Sequence, residues 1–387
     1  MHLFFSVGEP SGDQHAAHVI SAIRRRHPQA RITGFGGSRM EHAGCQRLYP
    51  LADLAVMGLF DVLPLLWTFI RLIRLAGRSF REQRPDAVVL VDCPGFNWWI
   101  ARQAKKLGIP VFYYLPPQLW AWAPWRIRKI RKFVDHVLSA LAFEVDWYRR
   151  RGVEVEFVGH PFFDEVAAYK LDPSAISDLQ RGNRRVVGIL PGSRKKEVTR
   201  NFPVMLRVIR DLHERHPDVR FAVACYKAEH RDLCRACMTP TDERLPIDLL
   251  VQQTSEIIEA ADCCLMVSGS VSLELLARDT PAVVFYRGTW MMCFLGHLLI
   301  RCRYMTLVNL LAGRELMPEF PFVIENSEAV GKMTRLLDGW LSCEADRQDV
   351  IDQLAELRSH VAEPGGIDRA VSAILRELRL ARRQQAA

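Results

Sequence analysis

No run of about 20 apolar residues, the length needed to cross a bilayer, occurs in the chain. The nearest approaches are residues 62–70, broken by Pro64 and flanked by Asp61 and Arg71, and residues 290–300, between Arg287 and Arg301. Both are apolar with cationic margins, a composition that suits lying on a membrane rather than spanning it. A dinucleotide fingerprint is also missing. The first glycine turn reads Gly8-Glu9-Pro10-Ser11-Gly12-Asp13 instead of G-x-G-x-x-G, and its two carboxylates would repel a pyrophosphate while suiting sugar hydroxyls. The 10 cysteines include a single Cys234-x-x-Cys237 pair with no second pair and no histidines at zinc spacing, so no metal is expected. Several lie in apolar runs, where cysteine behaves as a small hydrophobe. Residues 1–5 lack a basic leader and run straight into a strand, which with the scattered thiols points to a reducing cytoplasm.

Acids are the scarcer charge. Against 52 Lys and Arg stand 44 Asp and Glu, a formal net charge of +8, so an anionic partner is expected: nucleic acid, an acidic lipid surface or a phosphorylated substrate. With 387 residues, 49% hydrophobic and 25% charged, the chain is long enough for two globular domains.

Strand-like apolar runs alternate with helical patterns in two series, which predicts an α/β fold of two Rossmann-like domains with parallel sheets. In the first series, residues 3–7, 32–37, 87–91, 110–115, 135–140 and 153–158 read as strands. Asp92 follows the third of these at the carboxyl end of a central strand, where α/β enzymes place reactive groups; a turn-forming or capping Asp is the plainer reading. Residues 52–77 are more apolar than one buried face requires and carry Arg71, Arg74 and Arg78 on one side. They form either a core helix with a solvated basic face or a segment resting on lipid. Trp120-Ala121-Trp122 beside the basic run 126–132 leaves a similar choice, and without a nucleic-acid module pattern a lipid or phosphate partner is favoured.

Residues 170–185 read as a linker or small helix, after which the layout restarts with strands at 186–190, 219–225, 247–251 and 263–267. Ser268-Gly269-Ser270 then turns into a helix bearing Glu274, with another strand at 282–286. Such a strand–turn–helix unit can cradle a phosphate at its backbone amides while Glu274 meets ribose hydroxyls, or it can be an ordinary crossover with a solvated Glu. From residue 327 onward the chain is mostly helical and ends in a cationic stretch.

Eight motifs now stand in order: Gly8-Glu9-Pro10-Ser11-Gly12-Asp13, Val56-Met57-Gly58, Asp92-Cys93-Pro94-Gly95-Phe96-Asn97, Trp120-Ala121-Trp122, Gly159-His160-Pro161, Leu190-Pro191-Gly192-Ser193-Arg194, Ser268-Gly269-Ser270 and Asn309-Leu310-Leu311-Ala312-Gly313-Arg314. Together they resemble the lipid-A-disaccharide synthases, inverting glycosyltransferases of GT-B architecture, over residues 3–319. The resemblance implies transfer from UDP-2,3-diacylglucosamine to 2,3-diacylglucosamine 1-phosphate (lipid X), without metal or other cofactor, at the cytoplasmic face of the inner membrane. It implies domains at 1–165 (acceptor and membrane), 166–345 (UDP-sugar) and 346–387 (helices packing back on the first domain or on a partner subunit). It is compatible with a homodimer and implies no nucleic acid partner.

Matched residue by residue, Asp92 resembles the family's essential carboxylate and becomes the candidate base, with Arg194 stabilising the departing diphosphate. Ser193, Ser268, Gly269, Ser270, Glu274, Asn309 and Arg314 fall on the donor side. Glu9, Ser11 and Asp13 fall on the acceptor side, while Leu65, Leu66, Trp67, Phe69, Ile70 and Arg71 are expected to meet an anionic membrane surface. The chain departs from the family pattern at Gly95, where a second Asp is common, at Phe320-Pro321-Phe322 in place of Leu-Leu-Gln, and at Ala16 in place of Gly. Rival readings are another UDP-sugar enzyme on the same scaffold, such as a UDP-N-acetylglucosamine 2-epimerase or a different lipid glycosyltransferase. A non-catalytic membrane or nucleic-acid binder, for which Asp92 and Arg194 would be dispensable, is the reading from another class.

Overall fold

The computed structural model describes residues 1–54, 66–182, 184–287, 302–321 and 327–386. The chain divides into two compact units, Met1–Asp164 with Pro364–Ala387, and Glu165–Glu363. Each is an α/β layer structure around one parallel sheet.

The first sheet contains β1 (His2–Val7), β2 (Arg31–Phe35), β3 (Gln46–Tyr49), β4 (Ala87–Val91), β5 (Val111–Tyr114), β6 (His136–Ser139) and β7 (Val155–Phe157), in the order β3-β2-β1-β4-β5-β6-β7. Leu3 lies opposite both Ile32 and Ala87, so β1 and β4 are central strands buried on both faces. That explains their unbroken apolar composition. Alternation along β1 divides the core. Leu3, Phe5 and Val7 face the helices Pro10–Arg26 and Gly366–Ala386, whereas Phe4 packs edge-on against Phe35 and Phe80, at 5.3 and 4.8 Å between ring centroids, under the helix Leu66–Gln83. Burying Phe80 completely stabilises this layer by about 2–3 kcal/mol. The helix Gly366–Ala386 joins this unit through Ala370, Val371, Ile374 and Leu378, and Asp164 accepts a 2.9 Å hydrogen bond from the Ile367 amide in its first turn.

The second sheet contains β8 (Val186–Leu190), β9 (Arg220–Cys225), β10 (Ile247–Val251), β11 (Cys263–Val267), β12 (Ala282–Phe285) and β13 (Glu319–Phe320), in the order β10-β9-β8-β11-β12-β13. Its core is built on Phe202, Phe221, Leu265 and Phe285, with Met333 and Leu337 from the helix Ser327–Ser342. Cys234 is part of this core, and among the described residues no cluster of three or more His, Cys, Asp or Glu could hold a metal ion.

Two strands are additions to the expected layout, β3 and β13. β3 is polar and only half buried, and β13 is two residues long, so neither carries an apolar run. The expected linker at 170–185 contains the helix Pro173–Leu179, capped by Asp172 through the Ser174 amide at 2.9 Å. Residues 56–58, Leu65 and the apolar stretch 290–300 lie outside the described residues.

The strand orders locate the sites. In each sheet the order reverses once, between β1 and β4 and between β8 and β11, and ligands of open α/β sheets bind outside the carboxyl ends of strands at such reversals. The loops leaving those four strands begin at Gly8, Asp92, Pro191 and Ser268.

Candidate active site

In the first unit the chain leaves β4 with two consecutive non-glycine residues in left-handed backbone, Asp92 (φ 47°) and Cys93 (φ 42°). Each costs roughly 1 kcal/mol or more and persists because its surroundings hold it. The Asp92 carbonyl accepts hydrogen bonds from Asn97 Nδ2 and from the Tyr113 hydroxyl, both at 2.8 Å. Asn97, fully buried, also accepts from Ser6 Oγ at 2.7 Å, tying β1 to the turn. Pro94 at the first helical position then starts Pro94–Lys106.

Two glycines of the first loop make room for this turn. A Cβ on Gly8 would stand 2.4 Å from Cys93 Sγ, and one on Gly12 would stand 3.0 Å from Asp92 Oδ2. The helix Pro10–Arg26 thus brings bare backbone against the carboxylate. Burial, reinforced by the nearby Glu9 carboxylate and opposed by His15, pushes Asp92 up to about 7. A carboxyl group with that value exchanges protons near neutrality, as a general base must.

Of the three acceptor-side residues, Glu9 and Ser11 are exposed at the start of this helix. Asp13 differs. It is buried, and its carboxylate accepts from the amides of Gly37 (2.7 Å), Arg39 (3.0 Å) and Met40 (3.2 Å), so it caps the short helix Ser38–His42. Its oxygens face the protein, and Asp13 positions the loop instead of meeting a ligand directly. His160 stood in the sequence only as part of the Gly159-His160-Pro161 motif, and buried His15, which acts on Asp92, was passed over; the two rings lie edge-on at 5.9 Å between centroids. Only the folded packing of 160 against 15 reveals the pair.

At the same sheet edge, Trp120 donates to Glu144 Oε1 at 2.8 Å and Ser139 Oγ donates to Glu144 Oε2 at 2.6 Å. Glu144 is buried, and desolvation, partly offset by these two bonds, raises it to about 7. The Trp-rich segment is therefore anchored by one tryptophan while the others face out. Trp122 is partly exposed with the Arg126 guanidinium 4.5 Å from its ring centroid, and Trp125 is 57% exposed. Among the residues expected at a membrane, Leu66, Trp67 and Arg71 are exposed, Trp67 at 78%. Ile70 is half-buried, and Phe69 turns inward to Phe96 at 5.5 Å, because the helix Leu66–Gln83 buries the stripe Leu72, Ala76 and Phe80.

In the second unit, Gly192 (φ 115°) leads Ser193 and Arg194 into the long helix Lys195–Arg215. Glu197 accepts from the Ser193 and Arg194 amides at 3.1 and 3.2 Å and pairs with the Arg194 guanidinium at 2.8 Å. After β11, Ser268 is half-buried while Gly269 and Ser270 are exposed. The helix begins only at Ser272, whose hydroxyl donates to the Gly269 carbonyl at 2.9 Å, so Ser270 belongs to the turn and does not share a helical face with Glu274. Glu274 is buried and pairs with Arg278 at 3.3 Å, and Arg278 also holds Glu259 at 2.8 Å.

Asn309 is fully buried and uses all its hydrogen-bonding capacity within the chain. It donates to the Met317 carbonyl and to Glu319, and accepts from the Leu316 and Met317 amides, all at 2.7–2.9 Å. Glu319 also accepts from the Met305 and Thr306 amides at 2.7 Å. Asn309 is thus a positioning residue for the strand β13 and the loop before it. Arg314, past the left-handed Gly313, is exposed and bonds to Gln353.

Comparison with known proteins adds what geometry alone leaves open. Residues 3–360 match the family described as lipid-A-disaccharide synthetase. A curated lipid-A-disaccharide synthase from Anaeromyxobacter sp. (strain K) is 35% identical over 375 residues, covering 96% of each chain. One from Syntrophus aciditrophicus (strain SB) is 36% identical over 365 residues, 94% of each. Among solved structures, Acinetobacter baumannii MurG superposes with a TM-score of 0.61 at 12% identity, covering 97% of this chain and 99% of that one. The UDP-GlcNAc 2-epimerase of Neisseria meningitidis, bound to UDP-GlcNAc, superposes with a TM-score of 0.58 at 14% identity over 98% and 99%. At such identities these two structures share the fold alone, a GT-B scaffold of two Rossmann-like domains.

Proposed function

Because the chain belongs to the lipid-A-disaccharide synthase family, whose glycosyl transfer from UDP-2,3-diacylglucosamine to lipid X is its reaction, we propose that Asp92 is the base that drives this transfer. The observation that carries the proposal is the Asp92 carboxyl group, held by a strained turn at the reversal of the first sheet and raised to about 7. Asp92 takes the proton of the acceptor 6-hydroxyl while that oxygen attacks the anomeric carbon, and UDP departs from the opposite side. The product is the β-1,6-linked disaccharide 1-phosphate.

On the donor side, the turn Ser268-Gly269-Ser270 and the Ser193-Arg194 corner meet the diphosphate. The Arg194–Glu197 pair is 56% exposed at Arg194, so separating it costs under about 1 kcal/mol and frees a guanidinium for the leaving group. Glu274, oriented by Arg278, suits the ribose hydroxyls. Arg314 adds a cation from the loop that Asn309 orders. Glu9 and Ser11 line the acceptor side, with Asp13 holding their loop.

The acyl chains of both substrates call for a lipid surface. No helix among the described residues is long and apolar enough to cross a membrane. Exposed Leu66, Trp67, Trp99, Trp122 and Trp125, interleaved with Arg71, Arg126 and Lys129, suit peripheral contact with an anionic membrane, which for this reaction is the cytoplasmic face of the inner membrane. Their elements all meet the carboxyl edge of the first sheet, where Asp92 lies.

The test is turnover of UDP-2,3-diacylglucosamine with lipid X in detergent micelles containing EDTA, read by mass spectrometry. Disaccharide 1-phosphate and UDP in equal amounts are expected. Isomerisation or hydrolysis of a simple UDP-sugar without disaccharide would overturn the assignment in favour of an epimerase.

A further inference from the structure

Gly12 is where the helix Pro10–Arg26 meets the base: a Cβ there would stand 3.0 Å from Asp92 Oδ2 and 3.6 Å from Val91 Cγ1. His15 follows three residues later on the same helical face, where Cβ positions are about 5–6 Å apart. Helical side chains lean toward the helix N-terminus and cover the turn before their own Cα. The His15 ring therefore lies over the bare backbone of Gly12, the surface that the Asp92 carboxylate also approaches, and no side chain at 12 separates the two. Its neighbours on this face, Ala16 and Val19, are apolar and fully buried, and His15 is buried beside them. An imidazole thus occupies a place in a stripe that otherwise holds core residues. Its electrostatic effect has the sign this placement requires, favouring the charged carboxylate against burial and the Glu9 carboxylate.

A second ring holds the first. His160 meets His15 edge-on, at 5.9 Å between centroids and 88° between planes. The Phe162 amide donates to His160 Nδ1 at 3.2 Å, so that nitrogen is the acceptor and Nε2 carries the proton of the neutral ring. The turn that carries His160 is itself clamped. Gly159 has φ 83°, and a Cβ there would stand 2.5 Å from Arg369 Nη2. Arg369 Nε donates to the Val158 carbonyl at 2.8 Å, which ties the turn to the helix Gly366–Ala386.

We propose that His15, held in place by His160, is a positioning residue for the base, its imidazole facing the Asp92 carboxylate and holding it in the charged, proton-accepting form. The proposal rests on the assignment of Asp92 as base and adds the group that keeps it competent. The other titratable groups bearing on Asp92 do not do this. Glu9 opposes the charged form. Burial pushes the Cys93 thiol up to about 11 and the Tyr113 hydroxyl well above its usual range, so both stay neutral near pH 7. Of these four groups, His15 alone favours the carboxylate.

The test measures kcat/KM with lipid X from pH 5 to pH 9 for wild type, His15→Leu, His15→Gln and His160→Ala. Wild-type activity should rise with pH through about 7, as Asp92 loses its proton. In His15→Leu this limb should move up by about one pH unit, leaving the rate about tenfold lower at pH 6 and within about twofold of wild type at pH 9. His15→Gln, which keeps an N–H donor, should recover part of the loss, and His160→Ala should move the limb in the same direction. In an Asp92→Asn background, His15→Leu should cause no further loss at pH 6. An equal loss at every pH, or a further loss in that background, would overturn the proposal; an unmoved limb in His160→Ala would overturn the part given to His160. Thermal melts read the same carboxyl group without turnover. The stability advantage of Asp92→Asn, which should level off near pH 7 in the wild-type background, should level off about one pH unit higher with His15→Leu. Levelling at the same pH in both backgrounds would overturn the proposal. The displacement without disaccharide at any pH would retain the place of His15 at the carboxyl group and reject the reaction.

Discussion

Stability should fall as pH rises from about 4 to 7, and Asp92 is a principal cause. Its carboxyl group titrates at an ordinary 3.8 in the unfolded chain and at about 7 in the folded one. Below pH 3.8 both states hold the proton and no difference arises. Between the two values the unfolded chain has released its proton while the folded chain retains it, so raising pH favours unfolding; above 7 the penalty is complete and constant. The gap corresponds to about 4 kcal/mol, of which about half or more is expected because Asp92 is partly buried. Asp92→Asn removes the charge while preserving the shape. At pH 8 the variant should be about 2–4 kcal/mol more stable than wild type, a rise of about 2–5 °C in the melting temperature, and at pH 4 the two should coincide. Melts by circular dichroism from pH 4 to 8 measure this. Parallel wild-type and variant curves across that range, or a less stable variant at pH 8, would refute the reasoning.

Three further outcomes are expected. Gly12→Ala places a methyl group 3.0 Å from both Asp92 Oδ2 and Val7 Cγ1, so it should cost about 1–3 kcal/mol and lower kcat by about tenfold or more, measured by urea unfolding and initial rates. Gly95→Asp restores the carboxylate common in the family at a site where a Cβ meets nothing within 4 Å; in the first turn of a helix it should stabilise by about 0.5–1 kcal/mol, read from the urea midpoint. Trp120→Phe leaves Glu144 Oε1 buried without its donor and should destabilise by about 1–3 kcal/mol, a loss that tryptophan-to-histidine replacement would lessen if a ring N–H reaches the same oxygen.

The scaffold was readable because buried parallel strands are written as unbroken apolar runs: residues 87–91 and 263–267 are β4 and β11, each followed by a candidate site turn. β3 and β13 escaped because one is polar and the other has two residues. Side-chain roles were legible only where they depend on local sequence. The place of Asp92 at the end of a central strand was identifiable from the apolar run before it. By contrast, Asp13 carries the same carboxylate as Glu9, and only the approach of residues 37–40 makes it a helix cap. Asn309 resembles a ligand contact until its four internal hydrogen bonds are seen, and Glu144 lies 24 residues from the tryptophan it holds. Such partnerships are set by packing between distant segments, which no local pattern encodes.

The most direct test of the account is the single-turnover rate of Asp92→Asn beside wild type, with UDP affinity measured on the same preparations by calorimetry. The account predicts a rate lower by a factor of about 100 or more with UDP affinity unchanged. A variant that forms disaccharide at the wild-type rate would contradict it, and another group would then have to take the proton of the acceptor hydroxyl.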